Sequence, residues 1–307
     1  MEQKTLDRIH QAYVDACENP DTHNIIDILV ELYDNLLSYT PNSNDQKDFD
    51  IFLRNIERAI NTRKRTFEIT NLVSDVLFCM MYITIWANDV YNLNLDLNLI
   101  ARRKSLESEL VKLLEKDQVH DRFGVRTILL NQFSEDINTQ KLRAFSEYCI
   151  NIFTSRNRKD LTDFTKWVMT NPNINDYTKE RIHYILNIPF SFKRYKDYIK
   201  DPKPNGYQSI HYCLVVDMYS DWLPGAEIEC QFRTNAMHQA AVNSPKQSHQ
   251  NYKNEILKAH RAVFTIKDFS KVNIVGFTSY NSVDDDIDGI HWYKKIFNRR
   301  ISKTLVL

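Results

Sequence analysis

The chain has 307 residues, 43% hydrophobic and 26% charged, a soluble globular balance that suits one large domain or two ordinary ones. With 40 basic and 40 acidic side chains the net charge is zero, which excludes a protein that coats nucleic acid or clings to anionic membranes by general basicity. The five cysteines (Cys17, Cys79, Cys149, Cys213, Cys230) show no C-x-x-C spacing, so reduced thiols in a cytoplasmic setting are expected rather than zinc or disulfide chemistry.

In chain order, MEQKTLDRIHQ has no apolar stretch of signal-peptide type. Apolar residues then recur at three- and four-residue spacing through Ile25, Ile26, Ile28, Leu29, Leu32 and Leu36, and again through Phe52, Leu53, Ile56 and Ile60. The turn-forming run YTPNSNDQ at 39–46 separates these stretches, and a helical module over 1–95 is expected. The longest oily run, Leu77 to Ala87, is about half of the roughly 20 residues a membrane span needs, so no membrane association is expected.

RRKSLESELVK at 102–112 predicts a helix that places Lys104, Ser108 and Lys112 on one face, with Arg102 at its start. Short β-branched and aromatic runs follow in FGVRTILL (123–130), SIHYCLVVDM and AEIECQFRT, with helices over 137–153 and 159–186 between the first two. The last segment offers a strand at Val272 to Phe277, an acidic loop at Asp284 to Asp286 and a basic helix-like end, KKIFNRRISK. The fold class is therefore α+β: a mixed sheet of about five strands flanked by helices, behind the helical module.

Only five glycines occur, and Gly124, Gly206 and Gly225 fall in or beside polar motifs, where a tight turn or close approach is needed. Asp121 opens the first strand with Arg126 five residues on; Glu229 shares a strand face with Gln231 and Arg233. Acids from neighbouring strands can share a divalent cation, and Mg²⁺ favours one or two carboxylates completed by phosphate oxygens and water. The loop PKPNGYQSIH gathers Lys203, Asn205, Tyr207, Gln208, Ser209 and His211, which offers a ring for a base and donors for ribose and phosphate. Each feature alone also reads as a charged surface, an ion pair or a packed tyrosine. Their density beside an acid-bearing strand favours a nucleotide site.

Four ordered motifs resemble the RelA/SpoT alarmone synthetases: R-x-K-x-x-x-S-x-x-x-K at 102–112, D-x-x-G-x-R at 121–126, DYI-x-x-PK-x-NGY-x-S-x-H at 197–211, and E-x-Q-x-RT at 229–234. The likeness spans roughly 100–253. It implies a sheet of nucleotidyltransferase type and a Mg²⁺-dependent pyrophosphokinase that moves pyrophosphate from ATP to the ribose 3′-hydroxyl of GDP or GTP. By position, it implies that Arg102 and Arg126 sandwich adenine, Lys104 and Lys112 hold the ATP phosphates beside Ser108, and Asp121 and Glu229 hold Mg²⁺. It further implies that Glu229 takes the hydroxyl proton, that Tyr207 stacks on guanine, and that Lys203, Asn205 and His211, with Gln208 in the same loop, orient the acceptor.

The sequence also departs from that pattern. Val242 stands where an acid is expected, Pro245 falls inside the presumed helix, and the stretch from Thr154 to Phe192 is longer than expected. With only His10 and His23 in the N-terminal part, no hydrolase domain is expected. The expected divisions are a module over 1–95, a synthetase domain over 96–253 and an extension of unassigned role over 254–307, with 1–95 or 254–307 available for a homo-oligomer or protein partner. The alternatives are the same donor chemistry on an adenosine nucleotide or a tRNA 3′ end, or a degenerate synthetase fold kept for binding.

Overall fold

The computed structural model describes residues 1–17, 25–115, 119–130, 133–221 and 223–243. The strand expected at Val272 to Phe277, the acidic loop, the basic end and Pro245 lie outside the described residues. In chain order the elements are α1 (Gln3–Ala16), α2 (Ile25–Leu37), α3 (Gln46–Lys64), α4 (Thr66–Tyr91), β1 (Leu97–Arg103), α5 (Leu106–Glu115) and β2 (Phe123–Leu129). There follow α6 (Glu135–Phe153), α7 (Arg158–Thr170), α8 (Asp176–Leu186), β3 (Phe190–Asp197), β4 (Ile210–Val216), β5 (Glu227–Thr234) and α9 (Asn235–Asn243).

Two compact units result, and they do not follow chain order. The first takes Met1–Glu68 with Lys104–Val119; the second takes Ile69–Arg103 with the described part of His120–Ser248. In the first, the periodic apolar residues meet as the spacing requires: Ile9 and Tyr13 of α1, Ile28 and Leu32 of α2, and Phe52 and Ile56 of α3 share one core with Leu106 and Leu110 of α5. The polar run at 39–46 separates α2 from α3 as expected. Its Asp45 accepts hydrogen bonds from the Glu2 amide at 3.0 and 2.9 Å and from the Thr5 hydroxyl at 2.5 Å, which ties the start of α1 to the start of α3.

The second unit holds a five-stranded mixed sheet in the order β1-β2-β5-β4-β3. β2 and β5 run parallel at its centre, and the other neighbouring pairs are antiparallel. Alternation along β5 sends Ile228, Cys230 and Phe232 into the core with Val125, Tyr212 and Leu214, and leaves Glu227, Glu229, Gln231 and Arg233 on the opposite face. The core side is covered by helices: Phe145 of α6 meets Phe232 edge-on with ring centroids 6.0 Å apart, and Phe153 meets Phe190 at 5.9 Å.

Two expectations need correction, and a third element is longer than the sequence suggested. The helix expected over 102–112 begins only at Leu106, so Arg102 belongs to strand β1 and Lys104 precedes the helix. The helix expected over 159–186 is two, because Pro172 cannot continue α7 and Asn175 caps α8 by accepting the Thr178 amide at 2.9 Å. The apolar run around Leu77 is part of a 26-residue helix, α4, which is long and apolar enough by length and composition to cross a membrane. In this structure its apolar residues, among them Leu72, Val76, Met80, Ile83 and Trp86, pack into the core of the second unit. Strands β1 and β3 were not foreseen. Both are edges, and β3 is exposed from Ser191 to Lys196, so neither carries the apolar run that marks an inner strand.

Candidate functional site

The polar face of the sheet is organised in rows set by strand register. One row runs Arg102, Gly124, Glu229, Cys213; the next runs Ile100, Arg126, Gln231, His211, Lys196. Gly124 has no side chain, so Arg102 reaches across β2 and its Nη1 lies 3.6 Å from Glu229 Oε2. The same glycine lets β2 and β5 approach closely, since a Cβ there would stand well inside van der Waals distance of the Glu229 carbonyl oxygen.

Glu229 is the centre of a directional hydrogen-bond network. Its Oε2 accepts from Gln231 Nε2 at 2.6 Å, and its Oε1 lies 3.2 Å from His211 Nδ1. His211 Nε2 in turn lies 2.9 Å from the Tyr207 hydroxyl, which accepts from Arg233 Nη2. Gln231 Oε1 accepts from Arg233 Nη2 and from Arg126 Nε, each at 3.2 Å. Arginine only donates and an ionised carboxylate only accepts, so the protons can be assigned from both ends. Arg233 donates to Tyr207, Tyr207 donates to His211 Nε2, and His211 donates through Nδ1–H to Glu229.

Electrostatics agree with this assignment. Burial pushes the Glu229 carboxyl up, but the His211 hydrogen bond and the charge His211 takes on in acid outweigh it, Asp121 opposes them and Arg102 assists, so the pKa is held down to about 2. Burial lowers the His211 pKa, only partly offset by Glu229, so the imidazole is neutral at neutral pH. Both shifts destabilise the fold in acid. Below about pH 6.5 the unfolded chain takes up a His211 proton that the folded chain resists; below about pH 4.3 it protonates a glutamate that stays ionised in the fold down to about 2. The melting temperature is expected to fall on acidification in both windows, and His211→Asn should remove the upper step. A flat profile between pH 8 and 5 in circular-dichroism melts contradicts a buried neutral His211.

The loop that follows β3 is tied down at several points. Arg143 of α6 grips Asp197 with both terminal nitrogens, the second at 3.1 Å, and Asp197 Oδ1 accepts the amides of Ile199 and Lys200 at 3.1 and 3.0 Å. Gly206 turns the chain at φ 79°, a left-handed value, and its amide donates to the Lys203 carbonyl at 2.7 Å. Asn205 accepts the Tyr207 amide at 3.2 Å, and Ser209 ties the loop to β5 through the Phe232 carbonyl at 3.0 Å. The Tyr207 ring is 7% exposed, with Lys203 Nζ 4.7 Å and Arg233 Cζ 4.8 Å from its centroid. Gln208 is half-buried in the same loop.

The second unit thus brings together Arg102, Asp121, Arg126, Lys203, Asn205, Tyr207, Gln208, His211 and Glu229. Lys104, Ser108 and Lys112 fall in the first unit, Lys104 buried just before α5 and the other two half-buried on it. Ser105 immediately precedes that helix, and its hydroxyl lies 2.9 Å from that of Ser108. Among the described residues no group of three His, Cys, Asp or Glu side chains could hold a metal. A cation beside Asp121 and Glu229 would have two carboxylates and would need phosphate oxygens and water for the rest, a set that fits Mg²⁺.

Several partners of these groups were not identified from sequence. His120 Nδ1 lies 2.5 Å from Glu227 Oε2, and Lys193 Nζ reaches Glu227 Oε1 at 3.5 Å, beside the Asp121 and Glu229 positions. These pairs, like Arg143 with Asp197, join residues far apart in the chain, and no local spacing marks them.

The chain is similar to a solved structure of the small alarmone synthetase 2 of Bacillus subtilis, with 21% identity over 64% of this chain and 90% of that one and a TM-score of 0.33. It is also similar to the small alarmone synthetase 1 of Bacillus subtilis bound to its product pppGpp, with 18% identity over 67% of this chain and 88% of that one and a TM-score of 0.34. No curated protein sequence matches. Residues 100–256, about half of the chain, match the model described as the region found in RelA / SpoT proteins, and the chain belongs to the RelA/SpoT family.

Proposed function

We propose that the chain is a Mg²⁺-dependent pyrophosphokinase that transfers the β,γ-pyrophosphate of ATP to the ribose 3′-hydroxyl of GDP or GTP, making a (p)ppGpp-type alarmone in the cytoplasm. The observation that supports it most is the ionised Glu229, held by His211 and Gln231 beside Arg102 and near Asp121, on the sheet face next to the Tyr207 loop. In the reaction the 3′-oxygen attacks the β-phosphorus, the new O–P bond forms as the bridging bond to the α-phosphate breaks, AMP leaves, and the hydroxyl proton passes to Glu229. A carboxylate this acidic is a weak base, so the proton moves late, when the forming O–P bond has acidified it. Mg²⁺ held by Asp121 and Glu229 would supply charge neutralisation at the phosphates.

The rest of the rate enhancement is positioning and electrostatics, as is general for phosphoryl transfer. Arg102 and Arg126 take the adenine, Lys104, Ser108 and Lys112 the donor phosphates, and Lys203, Asn205, Gln208 and His211 the acceptor. The proposal assigns synthesis without hydrolysis, and places contacts with a protein partner or a second copy on 1–95 or 254–307. It is tested by incubating the full chain with labelled ATP, Mg²⁺ and each acceptor in turn, GDP, GTP, adenosine nucleotides and tRNA, and resolving the products. A 3′-pyrophosphorylated guanosine nucleotide is expected; product on another acceptor moves the specificity, and no product on any acceptor points to a binding module.

Tyr207 and Arg102 separate the two base sites. If a guanine stacks on Tyr207, the Lys203 ammonium must leave the ring, and Tyr207→Ala should cost roughly 1–3 kcal/mol of acceptor binding, about 5- to 150-fold, with ATP affinity unchanged. Arg102→Ala should do the reverse. Calorimetric titration of each variant with GDP and with a non-hydrolysable ATP analogue distinguishes them; equal loss of both ligands in either variant contradicts two separate base sites.

A further inference from the structure

The residues assigned to the donor phosphates are carried by the helical unit rather than by the sheet. Helix α5 packs Leu106, Leu110, Val111 and Leu113 into the core formed by α1–α3. Two charged side chains are buried within that packing. Arg63 in the last turn of α3 and Glu109 of α5 are 2% and 0% exposed, with Nη2 2.5 Å from Oε2. The same Nη2 donates to the Lys104 carbonyl at 3.2 Å, while Arg63 Nε and Nη1 are buried without a hydrogen-bond partner.

Such a pair is a poor device for stability. Desolvating two charges cancels most of their attraction, apolar replacements of similar volume often do as well, and buried N–H groups without partners are costly. What a guanidinium provides, and an apolar side chain cannot, is directed bonding from one rigid head to two points of a neighbouring segment. Those points are the carbonyl of Lys104 and the side chain that follows Ser108.

We infer that helices α1–α3 are the scaffold of the donor-phosphate segment and that Arg63 is its positioning residue, setting Lys104, Ser108 and Lys112 for ATP. The inference rests on the proposed function for the role of those three side chains.

The test uses the full chain and measures the KM for ATP, kcat at saturating ATP, binding of a non-hydrolysable ATP analogue and of GDP, and the melting temperature. Arg63→Met alone takes the guanidinium away from the buried Glu109 carboxylate, so the decisive variant is Arg63→Met/Glu109→Met, which removes both charges and keeps volume. It is expected to melt near the wild type, to bind the ATP analogue more weakly and raise the KM for ATP, each by about tenfold or more, and to keep GDP affinity and kcat within about threefold. A folded double variant with wild-type ATP affinity overturns the inference and reduces Arg63 to a counter-charge for Glu109. If the double variant does not fold, Arg63→Lys decides: the lysine side chain ends one bond short of the Nη2 that reaches both Glu109 and the Lys104 carbonyl, so it cannot hold both points at once, the same rise in KM is expected, and a wild-type KM overturns it. A wild-type chain that binds no ATP analogue overturns the proposed function and this inference together, whereas variants that bind like an active wild type overturn the inference alone.

Discussion

Glu229→Gln is expected to lower kcat by at least about 100-fold, the lower end of what a positioned proton acceptor contributes, while both nucleotides still bind. The substitution keeps shape but replaces one accepting oxygen by a donating NH₂. Gln231 Nε2 and His211 Nδ1 both donate to this carboxylate, so the new amide can satisfy only one of them, and its NH₂ must face the other. If it faces His211, the imidazole must move its proton to Nε2, and the Tyr207 hydroxyl must turn from donating there to accepting from Nε2 as well as from Arg233. The charge that would bind the metal is lost as well. Pre-steady-state measurement of the chemical step is the check, and a kcat within about threefold of wild type would remove Glu229 from the reaction.

Gly124→Ala is expected to be nearly as damaging by a different route. Gly124 pairs with Glu229 across the parallel β2–β5 contact at the centre of the sheet, and an added Cβ would press on the Glu229 carbonyl. Central strands cannot move aside without disturbing the strands paired on their other edges, β1 and β4. The overpacking cost is about 1–3 kcal/mol, and each 1 kcal/mol lowers the melting temperature of a domain of this size by about 2–4 °C. Turnover should fall further than this loss of stability explains, because Glu229 is displaced from Arg102 and from Asp121. Melting curves and kcat at a temperature where the variant is fully folded separate the two effects. Unchanged values for both would mean that the strands have slack and the glycine answers no steric need.

Much of the architecture was legible in the chain because its cause is local. Spacing of apolar residues revealed α2 and α3, the run at 39–46 separated them, and the alternation of Glu229, Gln231 and Arg233 with Cys230 and Phe232 put the polar side chains of β5 on one face. The motif residues also announced Gly124 and Gly206 as positions where backbone, not side chain, matters.

What tertiary structure alone decided lies where distant segments meet. Edge strands β1 and β3 lack an inner strand's apolar run, so their pairing partners, not their composition, make them strands, and Arg102 became a strand residue whose side chain crosses a glycine to reach Glu229. The proton order from Arg233 through Tyr207 and His211 to Glu229 depends on strand register, which no single segment contains. The links of Arg63 to Glu109, Arg143 to Asp197 and His120 to Glu227 join residues 46, 54 and 107 positions apart. Residue types and their order were enough to indicate nucleotide chemistry, because a motif is a local string; which groups hold those residues in place is a property of packing, because buried charges and hydrogen bonds take their partners from whatever the fold brings beside them.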